Sequence, residues 1–69
     1  MMDRLEQFEN TLKTILEKYD ELGKELKELR EAGKMKTTKF RELLGKKLVY
    51  RMILDIFIEN NLLDKKEVN

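Results

Sequence analysis

Leu5, Phe8, Leu12, Ile15, Tyr19, Leu22, Leu26 and Leu29 follow one another at intervals of 3, 4, 3, 4, 3, 4 and 3 residues. A helix brings such a series to one face, and another helix is the natural cover for it. Written as heptads, position a holds Leu5, Leu12, Tyr19 and Leu26, while d holds Phe8, Ile15, Leu22 and Leu29. Every side chain at b, c and f, from Glu6 to Glu31, is polar, as a solvated side requires. Asp3 or a neighbour caps the start and Gly33 supplies the stop. The pattern predicts a helix over residues 3–32, roughly 45 Å long at the α-helical rise.

Leu16 at e and Ala32 at g widen the stripe beyond a two-stranded seam. Leu dominates the a layer and d mixes Phe, Ile and Leu, which is not the pattern that favours parallel dimers. A bundle is therefore expected rather than a lone rod. Gly23, also at e, costs about 1 kcal/mol of helix propensity against Ala. It is either a tolerated flanking position or the mark of a closely approaching helix.

Residues 33–37 break the period, and Thr37 or Thr38 can cap a second helix over 38–61. A connection this short joins antiparallel neighbours. Along the second helix Phe40, Leu43, Leu44, Leu48, Val49, Met52, Ile53, Ile56 and Phe57 form the expected apolar stripe, with Tyr50, Leu54 and Ile58 adding surface outside it. Lys47, Arg51, Asp55 and Glu59 form the polar ladder. Gly45 is expected to kink the helix or to split it into 38–44 and 46–61. Asn60-Asn61 ends it, and Leu62 and Leu63 fold back or dock within a short tail, 62–69. Between Leu48 and Ile58 nine of eleven residues are apolar or Tyr, more than one partner helix can cover. The run is too short for a membrane span and is interrupted by Arg51 and Asp55. A 69-residue chain has little core of its own, so oligomerisation is the natural source of cover.

The net charge of +1 conceals segregation: residues 1–33 carry −3, residues 34–51 carry +6 and residues 52–69 carry −2. The basic block consists of Lys34, Lys36, Lys39, Arg41, Lys46, Lys47 and Arg51 against Glu42 alone. Either it solvates the turn and offsets the acidic first helix, or it is an anion site for nucleic-acid phosphates or an acidic protein. Lysines outnumber arginines five to two, which suits phosphate contact better than base readout. Thr38 to Lys47 superficially resembles the start of a DNA-reading helix-turn-helix. The position four before its turn glycine, usually small, is however Arg41, and no wing strands follow.

There is no His, Cys, Ser, Trp or Pro in the chain. The hydroxyls of Thr11, Thr14, Thr37, Thr38, Tyr19 and Tyr50 have no imidazole to activate them, and no activated nucleophile or base can be assembled. Thiolate and imidazole ligands for zinc are missing, and no D-x-D-x-D-G loop offers calcium a site. No enzymatic activity, cofactor, metal or small-molecule substrate is expected. The opening Met1-Met2-Asp3-Arg4-Leu5-Glu6 leads into no apolar leader, so a soluble cytoplasmic protein is the expectation.

The expected fold is all-α: a single domain, 1–69, forming a two-helix antiparallel hairpin that dimerises into a four-helix bundle. The layout resembles Rop-type hairpin dimers, which bind RNA, in architecture only. In a second possible layout, the first helix forms an intermolecular coiled coil and the second a separate head. The expected function is a helical oligomerisation or protein-interaction module, an adaptor or regulator. Its interface is drawn from Leu12, Ile15, Tyr19, Leu22, Leu26, Leu29, Leu48, Val49, Met52, Ile53, Ile56 and Phe57. The alternative is a nucleic-acid-binding regulator using the basic block.

Overall fold

The computed structural model describes residues 3–68; Met1, Met2 and Asn69, included in the single-domain reading, lie outside them. Helix α1 spans Arg4–Glu31 and helix α2 spans Thr38–Glu59, and the two pack against each other as a hairpin. A 3₁₀ turn, Lys65–Glu67, follows. The layout with a separate head is therefore not adopted.

Each helix begins and ends for a local reason. The Asp3 carboxylate accepts the Glu6 backbone N–H at 2.8 Å and caps α1. At the far end Gly33 has φ 73°, its N–H reaches the Arg30 carbonyl, and the Lys34 N–H reaches that of Leu29 at 2.8 Å. This Schellman closure satisfies carbonyls the helix leaves open. Of the two candidate caps for α2 it is Thr37 that serves, its hydroxyl accepting from the Phe40 N–H at 3.2 Å and donating to the Lys34 carbonyl at 2.8 Å. Asn61, at φ 58°, closes α2 in the same manner: its N–H bonds to Ile58 and the Leu62 N–H to Phe57.

Helix α2 runs through Gly45 without a break, so the split into 38–44 and 46–61 does not occur. With it goes the resemblance to a helix-turn-helix, whose turn would lie there. Nothing approaches within 4 Å of the space a Gly45 Cβ would occupy.

Tyr19, Leu22 and Leu26 of α1 are buried against α2, with Phe8, Leu12, Ile15, Leu16 and Leu29 half-buried. On α2 the inward residues are Phe40, Leu43, Lys47, Tyr50, Leu54 and Phe57, spaced 3, 4, 3, 4 and 3 like the α1 seam. Phe8 and Phe57 meet edge to face, 5.4 Å between centroids. Leu54 is wholly inaccessible and is the centre of the core. This corrects the sequence expectation, which put Leu54, Tyr50 and Ile58 outside the main stripe. A lysine at an inward position hid the register that α2 uses.

The tail folds back through Leu63, which is buried with Tyr19 and Leu54 while Leu16, Ile58 and Val68 pack around them; Leu62, expected to dock as well, stays exposed. Leu16 thus widens the α1 stripe to meet the tail, not another chain. Asp64 and Glu67 hold the turn, the Glu67 carboxylate accepting the Asp64 N–H and the Asp64 carboxylate that of Lys66.

Two substitutions test this core by denaturant unfolding. Leu54→Ala should cost about 2–5 kcal/mol, as for other fully buried leucines. Gly23→Ala should stabilise by about 0.5–1 kcal/mol, since the added methyl would lie 3.7 Å from the Lys47 ammonium, an ordinary contact.

Candidate interaction surface

The residues nominated for an interface divide between two sides of the hairpin. Tyr19, Leu22 and Leu26 are buried between α1 and α2, and Leu12, Ile15 and Leu29 are half-buried on the same α1 face. Phe57 packs on Phe8. These seven are occupied within one chain. Leu48, Val49, Met52 and Ile56 are 56%, 56%, 67% and 58% exposed, and Leu44 joins them at 39%. Ile53 is half-buried at their border.

The helix explains the division. Met52 and Leu54 are two positions apart and so point about 200° away from each other around α2. One row faces α1; the other has no cover among the described residues. The molecule measures 44 × 27 × 16 Å, so it is only one helical layer thick. Five aliphatic side chains exposed to this degree offer on the order of 500 Å², near the upper end for the largest apolar patch of a monomer.

Charged residues bound this face. Arg41 lies at its N-terminal end and Glu59 at its C-terminal end, both exposed. Asp55 flanks it, half-buried, accepting the Arg51 Nε–H at 3.1 Å. Arg51 is held firmly protonated: the Tyr19 hydroxyl first, then the Asp55 carboxylate, raise its pKa above the ordinary value.

The basic block does not form one patch. Lys47 lies half-buried with its ammonium 5.2 Å from the centroid of the Tyr19 ring, a cation–π contact. Arg51 is committed to Tyr19 and Asp55. Lys46 borders a groove with Glu21 and Glu25, and Lys39 and Lys34 border another with Glu25 and Glu28. Lys34, Lys36, Lys39, Arg41 and Lys46 are exposed, but they are distributed around the helix end, partly beside α1 carboxylates.

Three of the candidate nucleophilic hydroxyls bond to backbone: Thr11 to the Gln7 carbonyl, Thr14 to that of Asn10 and Thr37 to that of Lys34. Among the described residues no His, Cys, Asp or Glu group is arranged to hold a metal ion. No described helix is long and apolar enough to cross a membrane. No family model matches the chain, and no curated protein or solved structure is significantly similar to it.

The structure divides the residues that the sequence grouped as one interface: those of α1 and Phe57 lie within the hairpin, whereas Leu48, Val49, Met52 and Ile56 lie outside it. Both rows of α2 follow the 3-4 alternation, so spacing alone does not tell the inner face from the outer. A double-mutant cycle with Tyr19→Leu and Lys47→Met should return a coupling of about 0.5–1 kcal/mol, the size of a partly exposed cation–π contact. Strict additivity would mean that Lys47 merely lies beside the ring.

Proposed function

We propose that this chain is a small non-enzymatic helical module whose work is assembly, and that the outer face of α2 is its contact surface. One observation carries the reading: an exposed row of Leu44, Leu48, Val49, Met52 and Ile56 along a helix whose opposite side already forms the core. Scattered exposed apolar residues need no explanation, whereas a continuous row bounded by charges marks a protein contact. A homo-oligomer, a dimer in the first instance, is the simplest assembly that covers it. An adaptor or regulator of this kind needs no cofactor and no substrate pocket.

Light scattering on the eluting protein should give a multiple of the 8.3 kDa chain mass at micromolar concentration. Met52→Glu should reduce that mass to the monomer's while leaving the helical circular dichroism in place, because Met52 makes no contribution to the hairpin core. A buried unpaired charge costs far more than the lost methionine contact. A wild-type chain that remains a folded monomer over this range refutes the reading.

A second reading has narrower support. Lys34, Lys36, Lys39, Arg41 and Lys46 remain exposed around the start of α2, where the first-turn N–H groups add positive potential. A nucleic-acid contact there would lose affinity steeply with salt, and neutralising one contacting lysine would lower the salt slope by about one. Anisotropy with short labelled RNA and DNA from about 25 to 300 mM salt decides it. Lys47→Gln should leave that slope unchanged, because this side chain is engaged with Tyr19.

A further inference from the structure

We infer that the occupant of the outer α2 face is a second copy of this chain running antiparallel, with the two-fold axis beside residue 50. The inference presupposes the assembly surface proposed above and adds its partner and orientation.

The seam of the outer face carries Arg41, Gly45, Leu48, Met52, Asp55 and Glu59, at intervals of 4, 3, 4, 3 and 4. Its charge is polar end to end, basic at Arg41 and acidic at Glu59. Two copies laid parallel bring Arg41 against Arg41 and Glu59 against Glu59, like on like. Antiparallel about residue 50, Leu48 falls opposite Met52 of the second copy and Arg41 opposite Glu59, twice over by symmetry. Gly45 then falls opposite Asp55. The open space beside Gly45 leaves room for that carboxylate, which keeps its own Arg51 partner. The exposed aliphatic row supplies on the order of 500 Å² on each copy, and flanking residues add to it, against the ~800 Å² per partner of a standard stable interface.

The same geometry sets the shape of the dimer. In a bundle of square section each helix meets its two neighbours at about a right angle, as the apolar stripe of such a helix requires. The two apolar rows of α2 lie on nearly opposite sides instead. Pairing therefore places the two α2 helices in the middle and the two α1 helices outside, in a layer of order α1–α2–α2–α1. Helix α1 fits the outer place, since its residues away from α2 are polar.

The chain has no cysteine, so introduced ones report orientation cleanly. Arg41→Cys and Glu59→Cys are made as separate full-length chains, mixed, and treated with a short bis-maleimide. Antiparallel pairing gives a cross-linked heterodimer from the mixture and little product from either chain alone. Parallel pairing gives abundant homodimer from each chain alone, which overturns the inference while leaving the assembly surface standing. A charge-reversal series reads the same contact in solution. Arg41→Glu should weaken dimerisation roughly tenfold, the combined effect of two exposed pairs turned repulsive, and Arg41→Glu with Glu59→Arg should restore it. No change on reversal, or no rescue, places these residues apart and overturns the register. A wild-type chain that is monomeric throughout defeats the assembly reading itself, an outcome distinct from both.

Discussion

The contact of Tyr19 with α2 decides which side of the second helix faces in. Its ring is buried beside Leu54 and Leu63, carries the Lys47 ammonium over one face, and ends in a hydroxyl next to Arg51. One aromatic residue thereby engages three positions on α2 and its extension: a charge at 47, a charge at 51 and the core leucine at 54. Rotating α2 to bury Met52 would take Leu54 out of the core and deprive Lys47 of its ring. The remaining seam residues, Phe40 at the turn end and Phe57 at the open end, lie in line with this point because the two helices share one 3-4 period.

Once the rotation is fixed, the surplus of apolar residues on α2 has only limited places to go. The first side is covered by α1. The adjacent side, at Ile58, is covered by the tail through Leu63 and Val68. The third side, from Leu44 to Ile56, faces away from every other described element. The uncovered row is therefore a consequence of the α1 match: the side of α2 that completes the core is the opposite one.

Much of this was legible in the sequence. The heptad of α1 is unbroken, its polar positions are uniformly polar, and Asp3 and Gly33 occupy its ends, so local and tertiary preferences agree there. The Thr37 cap, the Asn60-Asn61 stop and the return of Leu63 were readable from side-chain chemistry. What misled was α2, where apolar residues lie nearly all round and the periodic contrast is weak. Counting apolar residues selected the row through Met52, because the true inward row contains Lys47. Its burial depends on an aromatic ring supplied by the other helix, a fact no single-helix pattern records. The helix is not split at Gly45 for a related reason: glycine lowers helix propensity by about 1 kcal/mol, and a helix anchored at Phe40 and Leu54 on either side tolerates that cost. Of the basic block, sequence position gave the cluster but not its dispersal around the helix, nor the engagement of Lys47 and Arg51 with Tyr19.

The pattern of exposed apolar surface also bears on how far assembly can proceed. A contact between two different faces leaves one of each uncovered and propagates into a filament, whereas a two-fold contact uses the same face on both copies and closes. Among the described residues this hairpin has one extended apolar outer face. The outward positions of α1 are all charged or polar side chains, with Asp20 and Lys24 paired at 3.3 Å. In the proposed dimer no comparable row remains among the described residues to recruit a third chain. Arg41 and Glu59 reinforce the limit, since a copy displaced along the seam would put one of these charges against Leu48 or Met52. In the proposed dimer, charge at the ends of the row would do what capping does for a helix and set where the contact stops.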